Sequence, residues 1–126
     1  MPINSYKDLL VWQKGIDVSK QVYALTEKFP KEEVYGLTSQ MRRAAVSIPS
    51  NIAEGRNRGT RKDFVQFLRI SNGSVAELQT QIEIAKQLPK TSTFSYEETE
   101  NTLNEISKML SSMIRKLNLP KLTAES

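Results

Sequence analysis

The chain of 126 residues contains no cysteine and no histidine. Without cysteine there are no disulfides, no thiolate metal sites and no cysteine nucleophile. Without histidine the chain lacks the commonest general base, the commonest transition-metal ligand and the only side chain whose unperturbed pKa lies near neutrality. Di-metal sites of four-helix bundles take a Glu-x-x-His motif from each of two helices, so that chemistry cannot be built here. The P-loop, GxGxxG and GxSxG patterns are missing too. The chain therefore reads as non-enzymatic, with no catalytic residue, metal, cofactor or small-molecule substrate expected. No stretch approaches the roughly 20 consecutive apolar residues of a membrane helix, and the N-terminus has no apolar run of signal-peptide length. The expectation is a cytoplasmic protein with no membrane partner. No segment alternates with period two over a useful length, which argues against a sheet.

What the sequence does contain is four apolar stripes at spacings of three and four, the mark of amphipathic helices. The first runs from about Lys7 to Lys28, with Val11, Gly15, Val18, Val22, Leu25 and Phe29 in one row and Leu9, Trp12 and Ile16 widening it. Pro30 ends it, because the residue before a proline is pushed out of helical conformation. The second begins near Glu33, carries Leu37, Met41, Ala45, Ile48 and Ile52, and gives out in the turn composition Gly55-Arg-Asn-Arg-Gly59. The third opens on Thr60 and Asp63, a capping box with Asp in place of Glu or Gln. Phe64, Leu68, Ser71, Val75, Leu78, Ile82 and Ala85 then repeat every 3.5 residues on average, as in bundle seams, until Pro89. Ser95 to Glu98 reads as a second capping box. It opens a fourth helix with Leu103, Ile106, Leu110, Met113 and Leu117, which Pro120 stops.

Connections of roughly three to seven residues favour antiparallel neighbours. The predicted fold is all-α, an antiparallel up-down-up-down four-helix bundle over residues 5–118 with a Pro-kinked second helix. Residues 119–126 form a short C-terminal tail. Pro49 removes a backbone donor inside the second helix and crowds the carbonyl of Ala45. The bend either wraps the helix around the core or re-aims Asn51, Glu54 and the arginines that follow. Gly73 costs the third helix about 1 kcal/mol relative to alanine. Its small neighbours point to a close helix approach, within the bundle or between subunits.

The net charge of +4 is unevenly placed. Between residues 42 and 69 lie Arg42, Arg43, Arg56, Arg58, Arg61, Lys62 and Arg69 against Glu54 and Asp63, a local net of +5; the remainder carries −1. Arginine presents a planar fork suited to phosphate, and helix-start amides near Arg61 and Lys62 also favour an anion. The seven basic residues are accordingly the candidate nucleic-acid-binding set. The opposing reading is a solvated basic loop, or arginines paired with acids of another helix or subunit. Only Phe64 and Phe67 interleave with the arginines, and both belong to packing stripes, so binding would be led by the phosphate backbone and sensitive to salt.

A second polar set, Arg43, Ser47, Asn51 and Glu54, shares one helical face, and Glu77 lies beside the seam of the third helix. A partly buried Arg43–Glu54 or Arg43–Glu77 pair is costly unless fully hydrogen-bonded, so its expected role is to fix register or an interface.

The run from Tyr35 to Gly55, YGLTSQMRRAAVSIPSNIAEG, closely resembles the four helix bundle protein family, also called the 23S rRNA-intervening sequence protein family. The resemblance continues in Phe64–Leu68, in Gly73–Gln81 and in the opening Tyr6–Gln13, so it covers most of residues 5–118. It implies an antiparallel bundle assembled as a homopentameric ring. The family name records where some of its genes lie, within insertions of large ribosomal RNA genes, and names no activity. A related group, the accessory proteins of diversity-generating retroelements, forms basic pentamers that bind nucleic acid and a reverse transcriptase. By this resemblance the partners are further copies of the chain and RNA or another nucleic acid, with a protein–protein scaffold as the alternative. Arg42, Arg43, Asn51, Glu54 and Glu77 fall on the family pattern; Arg56, Arg58 and Arg61 lie in its variable turn.

Overall fold

The computed structural model describes residues 5–119. Among them are four α-helices and no strand: α1 (Leu10–Thr26), α2 (Leu37–Arg58), α3 (Arg61–Gln87) and α4 (Glu97–Leu117). Each helix packs against two others, α1 on α2, α2 on α3, α3 on α4 and α4 back on α1, with the most extensive contact between α2 and α3. Cross-helix pairs show the antiparallel register directly. On α1 and α2, Gly15 meets Pro49, Ser19 meets Ala45 and Thr26 meets Arg42. On α3 and α4, Asn72 meets Ser107, Gln79 meets Asn104 and Lys86 meets Glu100. The bundle is thus up-down-up-down as the stripes require. Among the described residues no helix is long and apolar enough to cross a membrane. The expected tail, apart from Leu119, lies outside the described residues.

The core is drawn from the expected rows. Val18, Val22, Met41, Ile48, Ile52, Leu68, Val75, Leu78, Ile82, Leu103, Ile106 and Leu110 are all fully buried. Burying one such side chain stabilises the fold by about 1.5–3 kcal/mol relative to leaving it in water. The helix ends differ more from expectation. The first helix is split: Ser5 accepts a hydrogen bond from the Lys7 amide to cap a 3-10 turn at Tyr6–Asp8, Leu9 is extended, and α1 starts only at Leu10. The second starts at Leu37 rather than Glu33, where a Glu33 carboxylate oxygen accepts the Leu37 amide at 3.0 Å. Thr60 caps α3 as expected, its hydroxyl accepting the Asp63 amide at 3.1 Å. Ser95 does not cap α4. Tyr96, the residue immediately before the helix, takes that position, 4% exposed and with its hydroxyl donating to the Thr91 carbonyl at 2.7 Å, so burial of an aromatic sets this start.

The connections at 27–36 and 88–96 are longer than expected, and that at 59–60 is shorter. Gly59, at φ 88°, turns the chain there in the left-handed region that glycine alone enters freely. α2 passes through Pro49 without a break. The carbonyl of Ala45, which a proline four residues on cannot satisfy, instead accepts from the Ser19 hydroxyl of α1 at 3.2 Å. The Pro49 ring itself is buried against Gly15, where a Cβ would lie 3.0 Å from it. The close approaches of the bundle are therefore at Gly15 and at Gly55, whose added Cβ would sit 2.5 Å from Cβ of Phe67. Gly73 makes no such approach within the chain: nothing lies within 4 Å of its missing Cβ. Gly55, expected in the turn, is a buried helix–helix contact instead.

Candidate nucleic-acid interface

The basic residues clustered in sequence divide into separate settings on α2 and α3. Arg42 and Arg43 are neighbours in the chain, yet a helix turns them about 100° apart. Arg42 leans onto the end of α1, where its Nε donates to Thr26 Oγ1 at 2.9 Å, its Nη2 donates to the Tyr23 carbonyl at 3.5 Å, and its guanidinium lies 4.4 Å from the centre of the Tyr23 ring. A cation at this helix C-terminus is favourably placed against the helix dipole. Arg42 is therefore committed to joining α1 and α2.

Arg43 is exposed and makes no hydrogen bond or ion pair among the described residues. It borders two grooves. One, of about 330 Å³ between α2 and α3, is lined by Gln40, Arg43, Ala44, Ser47, Glu77 and Gln81. The other, of about 420 Å³ between α1 and α2, is lined by Tyr23, Arg42, Arg43, Val46, Ser47, Ser50 and Asn51. Glu77 is exposed across the first groove from Arg43 without pairing to it, and the buried Oε1 of Gln81 beside them has no hydrogen-bond partner.

The expected Arg43–Glu54 pair is not made. Eleven residues of helix separate the two by about 16 Å, beyond the reach of a direct contact. Glu54 instead pairs with Arg58, one turn on, at 2.9 Å. Neither Arg43 nor Glu54 is buried, so no buried ion pair fixes the register. Neutral hydrogen bonds do so. The hydroxyls of Ser47 and Ser74 bond to each other across the α2–α3 seam, and Ser71 donates to the Ile48 carbonyl at 2.9 Å. Asn51 Nδ2 donates back to the Ser47 carbonyl at 2.8 Å.

The rest of the basic set lies toward the far end, where Arg58 is about 22 Å along α2 from Arg43. Arg58 lies over the Phe67 ring at 4.9 Å in addition to its pair with Glu54, and Arg56 is half-buried. Arg61 and Lys62, in the first turn of α3, and Arg69, two turns on, are exposed and without ion pairs among the described residues. Cations at a helix N-terminus face the positive end of the dipole, so Arg61 and Lys62 contribute nothing favourable there until an anion joins them. Phe64 and Phe67 pack between helices as expected.

Two features escape a reading of the sequence. Tyr23 comes from α1, yet its ring stands beside Arg42 and Arg43. An outward row on and just after α3, Ile70, Gly73, Glu77, Thr80, Ile84 and Leu88, keeps spacings of three and four; Ile70, Ile84 and Leu88 in it are 46%, 47% and 38% exposed, with Glu77 between them. Its periodicity was available in the sequence, hidden behind the stronger buried row.

Comparison with known proteins adds the following. A family model described as 23S rRNA-intervening sequence protein matches residues 7–112. A crystal structure from Bacteroides thetaiotaomicron, of a protein described as of unknown function from the S23 ribosomal protein family, superposes with a TM-score of 0.76 at 24% identity. The match covers 84% of this chain and 99% of that one, and at this identity it shows a shared fold. Among curated proteins none matches.

Proposed function

The chain belongs to the 23S rRNA-intervening sequence protein family, and from that premise we propose that it is a non-enzymatic, cytoplasmic, homo-oligomeric module that binds structured RNA through the basic surface of α2 and α3. The observation that carries the reading is the set Arg43, Arg61, Lys62 and Arg69: four exposed cations with no ion pair among the described residues. A phosphate backbone supplies the anions that the fold leaves out, and its binding releases counterions. Ile84 and Leu88, exposed apolar neighbours at the end of α3, support assembly as a contact surface. The resemblance to basic pentamers makes five copies the expected number.

The test is fluorescence anisotropy with a labelled RNA hairpin over a salt series. Micromolar or tighter binding that falls steeply with salt is expected, and it should weaken when Arg61, Lys62 and Arg69 are replaced by glutamine. Binding indifferent to those replacements removes the reading. Light scattering tests assembly: a wild-type monomer at micromolar concentration would eliminate the oligomer, and Ile84→Glu is expected to dissociate it.

A second reading is a scaffold for proteins with no nucleic-acid role. Tyr35, 96% exposed beside the exposed Val34 in the α1–α2 connection, favours it as an aromatic anchor. That reading predicts no RNA binding at any salt concentration.

A further inference from the structure

The groove between α1 and α2 combines three elements at the surface. Its aromatic wall, Tyr23, is 46% exposed, although the neighbouring Val22 and Leu25 are buried. The Arg42 guanidinium over that ring is held by Thr26 and by the Tyr23 carbonyl, so ring and cation keep a fixed mutual orientation. Val46, 41% exposed, gives the groove an apolar floor, and Arg43 at its border keeps an unpaired charge. At about 420 Å³ the groove falls in the range of about 300–1,000 Å³ usual for small-molecule sites.

The chemistry of the lining selects the occupant. No carboxylate lines the groove and two arginines do, so a cationic side chain is disfavoured and an anionic ligand favoured. The Arg42 guanidinium lies over the Tyr23 ring and takes that ring face, so the guanidinium plane, backed by the ring, is the stacking surface for a flat π-system. The exposed Ser50 hydroxyl can donate or accept, and Asn51 Oδ1 accepts no hydrogen bond among the described residues while its amide nitrogen is bound to Ser47. A flat ring with polar edges and an attached negative charge is a nucleotide.

We propose that this groove holds one unpaired nucleobase of an RNA strand, stacked on the Arg42 guanidinium that Tyr23 backs, with Ser50 and Asn51 at its edge and Arg43 on its phosphate. The inference rests on the RNA-binding reading above and narrows it to RNA with an unpaired base, because paired bases keep their faces inside the duplex.

Anisotropy with two labelled RNAs of equal length, an unstructured single strand and a blunt duplex, tests it. Stacking of about 1–3 kcal/mol per base converts to a loss of roughly 5- to 150-fold for Tyr23→Ala on the single strand. Duplex binding is expected to stay within about twofold of wild type, because backbone contacts are made elsewhere. Tyr23→Phe should bind as the wild type does, and Val46→Glu, at an exposed position that spares the fold, should repeat the selective loss. Circular dichroism checks that each variant is folded. An equal loss on both RNAs, or none on either, overturns the stacking site while leaving the basic-surface reading intact. A wild-type protein that binds neither RNA overturns both. Binding of free adenosine monophosphate without affinity for the strand overturns the assignment to RNA.

Discussion

On the α4 side of the bundle, Lys14 of α1 reaches Glu105 at 2.8 Å and Lys86 of α3 reaches Glu100 at 3.0 Å; in the connections between helices Lys90 reaches Glu32 at 2.6 Å. The α2–α3 side carries most of its cations as arginines, and Arg43, Arg61, Lys62 and Arg69 find no acid among the described residues. On that side the Arg58–Glu54 pair lies within a single helix. Both sides have the same kind of apolar core beneath them. Lys14, Lys86 and Lys90 close their charges within the chain, although Lys108, Arg115 and Lys116 of α4 are exposed and without ion pairs among the described residues. Arg43, Arg61, Lys62 and Arg69 differ from those in their clustering, since Glu54 and Asp63 are the only acids between residues 42 and 69. Exposed pairs such as those of α4 are worth little to stability, so the contrast concerns what each surface is free to meet.

The largest expected effect of breaking this contrast is on RNA affinity. Replacing Arg61, Lys62 and Arg69 together by glutamine is expected to weaken binding by about ten- to a hundredfold at physiological salt and to flatten the salt dependence. Replacing Lys14, Lys86 and Lys90 in the same way, measured in the same anisotropy assay, should change affinity far less. Equal losses would erase the distinction between the two sides.

Next in size is a packing effect. Gly55→Ala pushes a methyl group into Phe67, and overpacking of this kind costs about 1–3 kcal/mol. Urea denaturation should report that loss as a lower midpoint. Gly73→Ala, on the same pair of helices but facing outward, meets nothing within the chain and should stabilise α3 by about 1 kcal/mol. If α3 is a subunit contact, the same Gly73→Ala change should also alter the mass seen by light scattering.

The smallest effects are those of pH on the paired side. Hydrogen bonds and attraction to Glu105, Glu100 and Glu32 raise the pKa values of Lys14, Lys86 and Lys90, and burial raises that of Tyr96. A raised folded-state pKa gives stability that is complete below the unfolded value and is lost as pH rises through the folded one. Thermal midpoints should therefore fall modestly as pH climbs past about 10. The Lys90 ammonium lowers the pKa of Glu32, whose small contribution is lost instead as pH falls through the carboxylate range. Lys90→Met should remove the part of each slope due to that pair.

Most of the fold was legible because each helix carries a continuous buried row, and a row such as Leu68, Ser71, Val75, Leu78 and Ile82 has a single helical solution. The helix ends were less legible. Thr60 caps locally and could be read, whereas the start of α4 depends on Tyr96 finding a buried place against Thr91, a tertiary fact. The site was legible in composition but not in arrangement. Sequence proximity put Arg42 with Arg43, although one is bound to α1 and the other faces two grooves. Glu54 pairs with Arg58 and not with Arg43, because a shared helix face does not bring together residues about 16 Å apart along the axis. Tyr23 was invisible because its relevance depends on which side of α1 receives α2.

The proline of α2 has a consequence for inheritance. Its ring lies so close to Gly15 that an added methyl group would press on it at 3.0 Å, and the carbonyl it strands at Ala45 shares the Ser19 hydroxyl with the Gly15 carbonyl, at 3.2 and 2.9 Å. Three positions on two helices thus answer to one another. A lineage that exchanged Pro49 for an ordinary helix former would restore the Ala45 bond, release Ser19 from its duty and open space beside Gly15 for a methyl group. Related chains should therefore change these three residues together or keep them together.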